Sequence, residues 1–444
     1  MIDLSPELIV LIMFGGLLVG VLTGYPLAAV LGVIGIGIAF YLKGWAAPSL
    51  IYTRIFMILT NYIILAVPCF VFMGLILQRS GIAERLYDVL YLWLGGIRGG
   101  LAFVTVVIGT VLAACVGIIA ASVTMLSLVA VPSMVRRGYS KSLAAGATCA
   151  GGTLGILIPP SVMLVFYGPM ANLSVGKLFM SAFTAGFTLS ALYSIYILTY
   201  GALRPDTAPP VPLEERQVPL LKKIVMLLSS FVPPVILILT VLGSIFFGIA
   251  PPTEAAGVGA FAATILALAY GRLNWRVLKE TGLETARVCG MIFLFVAMAV
   301  AFVGPFILGG GDEVVANLVL AAPGGKWGSL SVVLFLVFLL GFFIDWLGIV
   351  FIIVPIVTPL NAALGFDPIW FAMMIIVTLQ TSFMTPPYAG AIFIARGAIP
   401  AECGVSMADI IRGVIPFVLL ILLSLVLFVF FPPLLTWLPA QMIR

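Results

Sequence analysis

Residues 142–168 form an apolar run long enough to cross a bilayer, yet Gly151-Gly152-Thr153-Leu154-Gly155-Ile156-Leu157-Ile158-Pro159-Pro160 occupies its middle. Glycine weakens a helix, and proline removes a donor and clashes with the preceding turn, so this run predicts a crossing broken at mid-depth. A second run, 368–395, carries Thr381-Ser382-Phe383-Met384-Thr385-Pro386-Pro387, with Pro386 lying 227 residues after Pro159. Unwound backbone in hydrocarbon is tolerated only where protein buries it or it lines a cavity. Broken crossings at matching places in two halves of a chain are the best sequence pointer to a transporter's site.

The chain is 63% hydrophobic and 8% charged, against about 25% charged residues in soluble domains. This excludes an ordinary soluble fold and predicts an all-α polytopic membrane protein embedded in lipid. The start, Met1-Ile2-Asp3-Leu4-Ser5-Pro6-Glu7, lacks a basic region and a small-residue cleavage site, so the first apolar run is expected to remain as a span. Five cysteines without zinc or redox spacing, and no histidine, suggest neither a metal centre nor a cofactor. The net charge of +5 is better explained by basic loops on one membrane face than by nucleic-acid binding.

Candidate spans fall at about 7–24, 27–42, 61–78, 142–168, 178–202, 224–247, 253–271, 288–308, 368–395 and 413–436. Two further apolar stretches, about 99–135 and 329–361, are too long for one span and short for two. If both are re-entrant hairpins, 16 basic residues fall on one face and Lys43, Arg54, Lys177, Lys326 and Arg444 on the other. Treating only the first as a span would separate Arg79, Arg85 and Arg98 from Arg136, Arg137 and Lys141. The hairpin assignment therefore fits the positive-inside rule, with both termini outside.

At an offset of 227, Pro132 pairs with Pro359, Gly138 with Gly365, and Pro159-Pro160 with Pro386-Pro387. These pairs predict two repeats, 1–203 and 224–444, joined by a cytoplasmic linker over 204–223. Each repeat holds a hairpin and a broken helix. An odd number of spans per unit inverts the second repeat, which sets the site near the midplane.

At this point the residues resemble the large membrane subunit of tripartite ATP-independent periplasmic (TRAP) transporters. The likeness is carried by Ala66-Val67-Pro68-Cys69-Phe70-Val71-Phe72-Met73-Gly74, Gly151 to Ser161, Pro251-Pro252-Thr253-Glu254-Ala255-Ala256-Gly257 and Thr385-Pro386-Pro387. It implies a sodium-driven importer of small organic acids in a prokaryotic inner membrane, working as an elevator. It also implies two partners, a small four-span membrane subunit and a periplasmic substrate-binding protein. Where many relatives carry a Gly-Ser-Ser-type tip on the first hairpin, this chain reads Gly117-Ile118-Ile119-Ala120-Ala121-Ser122-Val123-Thr124. With Gly341-Phe342-Phe343-Ile344-Asp345-Trp346, that tip looks closer to branches handling oxo-acid-like carboxylates.

Sodium requires hard oxygen ligands, and helix breaks free carbonyls to supply them. The candidates are Ser122, Thr124, Gly151, Gly152, Thr153, Gly155, Pro159, Pro160, Ser161, Asp345, Thr381, Ser382, Thr385, Pro386 and Pro387. The alternative for each hydroxyl is a bond to its own helix carbonyl; for glycine and proline it is close packing or a kink. Asp345 sits mid-way along an apolar hairpin, where an ionisable group marks function by default, although capping a turn is the competing role. Thr253 and Glu254 fit an N-cap and first turn. Arg396 is expected to snorkel to the interface, and Trp45, Trp275, Trp327, Trp370 and Trp437 to form an aromatic belt. For an anionic substrate, half-helices beginning at Ser161-Val162 and Tyr388-Ala389 offer partial positive charge.

The rival reading is a stand-alone sodium- or proton-coupled carboxylate or ion transporter of similar design. No phosphate loop for ATP occurs. With neither histidine nor a clustered acid pair, an enzyme is not expected.

Overall fold

The computed structural model describes residues 4–117 and 119–442 of the chain. Ile118 of the first hairpin tip, Asp3 at the start and Arg444 on the outer face lie outside the described residues. Among the described residues the regular structure is helical throughout.

The first half holds α1 (Pro6–Leu22), α2 (Leu27–Lys43), α3 (Ala47–Leu59), α4 (Ala66–Arg79), α5 (Ile82–Leu94), α6 (Gly100–Val116), α7 (Ile119–Arg136), α8 (Lys141–Thr153), α9 (Val162–Ala171) and α10 (Val175–Leu203). The second holds α11 (Leu220–Phe246), α12 (Pro252–Ala269), α13 (Trp275–Leu308), α14 (Gly311–Leu320), α15 (Gly325–Leu340), α16 (Trp346–Val357), α17 (Leu360–Leu364), α18 (Pro368–Ser382), α19 (Gly390–Ala398) and α20 (Met407–Phe430). A short α21 (Pro433–Ala440) follows. Eight helical stretches among the described residues are long and apolar enough to cross a membrane.

Shifted by the spacing of the two proline pairs, the helices of one half fall on those of the other in the same order, with two local differences: α7 is continuous where α16 and α17 are separate, and the reverse holds earlier in each half. Where α3 and α4 are separate, α13 runs unbroken over 34 residues. The cause is local: the Asn61 side chain accepts the Ile63 N–H at 3.0 Å and starts a new turn. The corresponding Arg287-Val288 offers no such cap. Helices α3, α5 and α14 were not expected as elements, and the second hairpin begins earlier than 329.

The five ion pairs all join segments that the charge count assigns to the arginine-rich face. Arg79 pairs with Glu280 and Glu284, each at 2.6 Å, and Arg136 with Glu402 at 3.2 Å. Arg137 pairs with Glu215, and Arg276 with Glu280 at 3.8 Å. Arg396 donates to the Val405 carbonyl at 2.7 Å on the same side. Trp45, Trp275, Trp327 and Trp437 are exposed, as a belt requires, but Trp370 is 3% exposed. Its indole N–H donates to the Phe428 carbonyl at 2.9 Å, so Trp370 is a core residue and not a belt member. Helix α12 begins at Pro252 with Pro251 as its cap, and the Thr253 side chain caps nothing. Proline starts this helix because its fixed φ suits the first position and its missing N–H is not needed there.

Candidate functional site

Each hairpin turns at the level of a helix break. The first tip, Gly117, has φ +63, and a Cβ there would lie 2.7 Å from the Pro160 carbonyl oxygen. Only glycine sits comfortably in that backbone region and at that approach. The second tip meets its break through Tyr388, whose N–H donates to the Phe342 carbonyl at 3.1 Å. The Pro159–Pro160 and Pro386–Pro387 peptide bonds are both cis.

The first break starts later than its glycines suggest. Gly151 and Gly152 are helical and end α8, and only at Leu154 does the helix tighten into a 3-10 turn over Leu154–Ile156. The glycine pair is used for packing: a Cβ at Gly109 of α6 would lie 2.6 Å from the Gly151 carbonyl. Small residues at a helix contact allow that closeness in a membrane fold. Gly155 lies in the tight turn, and the turn and bend over 157–160, before extended Ser161, hold the proline pair. The Ser161 hydroxyl donates to the Ile156 carbonyl, closing the break on itself.

Three of the seven candidate hydroxyls bond to carbonyls of the helix they follow or lie in. Thr153 donates to the Ala150 carbonyl at 3.0 Å, Thr381 to Thr378 at 2.7 Å, and Thr385 to Thr381 at 2.6 Å. Ser122 is buried in α7 and Thr124 is half-buried there. Two contacts bring the breaks together. Thr153 lies 3.9 Å from the Met384 sulfur, and the Cys149 thiol lies 3.7 Å from the Ala391 carbonyl oxygen.

In front of these breaks is a cavity of about 200 Å³. The hairpin tips contribute Gly117, Ile119, Ala120, Asp345, Trp346 and Leu347. The breaks contribute Ile156, Val162, Phe383, Tyr388, Gly390 and Ile394, while Val71 of α4 and Val288, Met291 and Ile292 of α13 close it. Of the sequence-predicted site residues, Asp345 alone lines the cavity. Asp345 is the N-cap of α16, accepting the Trp346 N–H at 2.8 Å, and Tyr388 lines the same cavity beside it.

The cavity is mostly apolar, and no lysine or arginine among the described residues lines it. Its potential comes from the backbone. Four helices begin at its wall: α7 at Ile119, α9 at Val162, α16 at Trp346 and α19 at Gly390. Each start carries unpaired N–H groups and about half a positive charge. Four others, α6, α8, α15 and α18, end at the same tips and breaks, where carbonyls are free. One set suits an anion and the other a cation.

Two residues escaped the sequence reading. Tyr388 reads from sequence only as a helix start, whereas it lines the cavity beside Asp345. Gln380 on α18 is 1% exposed with neither amide atom hydrogen-bonded, and the neighbouring Ser382 hydroxyl is likewise buried and unpaired. A lone glutamine inside an apolar run was the available signal.

The family model described as tripartite ATP-independent periplasmic transporter, DctM component, matches residues 14–434. The chain belongs to this family. It is 30% identical to the C4-dicarboxylate TRAP transporter large permease protein DctM of Pseudomonas aeruginosa, over 84% of this chain and 85% of that protein. The Vibrio cholerae protein of the same name is 28% identical over 98% of both chains. The sialic acid TRAP transporter permease protein SiaT of Haemophilus influenzae is 27% identical over 91% of this chain and 64% of that longer protein. The crystal structure of the Alcanivorax borkumensis YdaH transporter shares the fold, with a TM-score of 0.56 at 15% identity, covering 85% of this chain and 90% of that one. These relatives are named as transporters, which agrees with the expectation that this DctM-family chain is not an enzyme.

Proposed function

We propose that this chain is the large permease subunit of a sodium-coupled secondary transporter that imports a small carboxylate. The observation that carries this reading is the meeting of four helix starts in a cavity without basic side chains. An anion there is held by backbone N–H groups that need no desolvated counter-charge. Sodium is held by the freed carbonyls beside the tips and breaks, aided by Asp345, Ser382 and Gln380. The names of the Pseudomonas and Vibrio relatives favour a C4-dicarboxylate.

Two inverted repeats, 1–203 and 224–444, would let the two access states mirror each other. In this reading the chain sits in a prokaryotic inner membrane with its termini on the periplasmic side. The body carrying both hairpins and both breaks moves as an elevator against a frame that includes α4 and α13. A periplasmic binding protein delivers the substrate, and a small four-span subunit completes the complex. Reconstitution with those two partners tests the whole reading. Uptake of labelled C4-dicarboxylate should require an inward sodium gradient; uptake indifferent to both sodium and the binding protein would favour a stand-alone transporter.

A further inference from the structure

Residues 204–219 read from sequence as a plain linker, but their backbone is stitched into the fold. Ser140 N–H donates to the Thr207 carbonyl at 2.8 Å, Gly99 N–H to Ala208 at 2.9 Å, and Val211 N–H to Gly95 at 2.8 Å. Ala208 and Val211 are buried. Arg216 turns back to donate to the Val211 carbonyl at 3.2 Å. These bonds fix the segment across the ends of three elements: the close of α5, the opening of the first hairpin and the start of α8.

One carboxylate then draws the far end of that hairpin into the same junction. Both terminal nitrogens of Arg137, the residue after α7, donate to Glu215. The Tyr91 hydroxyl of α5 donates to the same carboxylate at 2.9 Å, and the Arg137 guanidinium lies 5.2 Å from the Tyr91 ring. A bidentate pair of this kind is the strong form of the interaction. Glu215 nevertheless keeps 46% of its side-chain exposure, so the pair is able to open without unfolding anything. The same Arg137 and Glu215 line a polar cavity of about 640 Å³ together with Ser133, Arg136 and Glu402. The hairpin end therefore borders open polar space, crossed by the largely exposed Arg136–Glu402 pair.

We propose that 204–219 is a strap that docks the arginine-rich end of the first hairpin onto α5, with Glu215 as its catch. Closed, the catch makes α5, the strap and the hairpin end one body; open, the hairpin end is released from α5 and the strap and keeps its exposed Arg136–Glu402 pair across the polar cavity. The docking stands on the contacts alone, whereas its effect on uptake rests on the transport function proposed above.

The test is hydrogen exchange on the full chain in lipid nanodiscs, paired with uptake by the reconstituted complex. In Glu215→Gln, the amides of Gly99, Ser140 and Val211 should exchange roughly tenfold faster, the loss expected for a bidentate charged pair. The double reversal Arg137→Glu with Glu215→Arg should restore their protection. Uptake by Glu215→Gln should fall about threefold at unchanged KM, in the range by which positions remote from a ligand alter coupling. Unchanged exchange in Glu215→Gln would overturn the catch, and faster exchange with unchanged uptake would overturn its link to hairpin movement. Absence of sodium-driven uptake by the wild type would overturn the transport function instead, and the exchange data would still decide the docking.

Discussion

Tyr388 and Asp345 line the same cavity, setting the second hairpin tip beside the residue that follows the second proline pair. Asp345 therefore has two jobs within reach: capping α16 and presenting the only carboxylate among the described residues of the cavity wall. Asparagine caps a helix about as well as aspartate, so Asp345→Asn separates them. We expect the melting temperature to change little, with a difference below about 1 kcal/mol. Sodium-dependent uptake should fall at least tenfold, or about 1.4 kcal/mol of lost binding or barrier stabilisation. Full sodium dependence in the variant would leave Asp345 as a cap only.

Gln380 provides a second separation of structure from function. A buried amide with no partner destabilises a fold by about 1–3 kcal/mol, and an apolar residue of similar shape relieves that. Gln380→Met should therefore raise the melting temperature. If the amide oxygen serves the coupling ion, the same change should also raise the sodium concentration at half-maximal uptake several-fold. A more stable protein with unaltered sodium response would show that Gln380 is structural.

The proline pairs made both breaks legible, because a residue without an N–H cannot continue a helix whatever surrounds it. Gly151 and Gly152 were harder, since glycine breaks helices and also packs them, and only the neighbouring Gly109 decides which. Helix α5 passed unseen because Glu84, Arg85 and Asp88 made its sequence look like a loop between spans. Its buried Ile82, Leu86, Val89 and Leu90 do follow the helical period. Asp345 was visible as a charge in an apolar run. Its neighbour Tyr388 was not, because nothing in one dimension brings the two segments together. The same holds for Trp370, whose depth depends on α20 lying against it.

Gly117 should tolerate no side chain. Its φ of +63 and the 2.7 Å approach to Pro160 act together on any Cβ. A left-handed residue costs about 1–2 kcal/mol, so Gly117→Ala should lower the melting temperature by several degrees. Gly37 on α2 supplies the control, having nothing within 4 Å of a new Cβ. Gly37→Ala should be neutral or stabilising by up to about 1 kcal/mol. Equal losses at both positions would argue against the tip geometry.

The strap should also respond to pH in a defined direction. Glu215 faces Arg137 and Tyr91, whose hydrogen bonds hold its carboxyl below the ordinary value of 4.5. A group whose pKa is depressed by folding stabilises the folded form above its unfolded value, and that contribution fades as the pH falls through the depressed one. Protection of the Gly99, Ser140 and Val211 amides, corrected for intrinsic exchange, should thus hold from about pH 7 to about pH 5 and fail only below the normal carboxylate range. High salt at neutral pH should weaken the same protection, because the pair is partly exposed and ions screen it. Loss of protection between neutral and mildly acidic pH, with salt inert, would point to a group other than Glu215 as the catch.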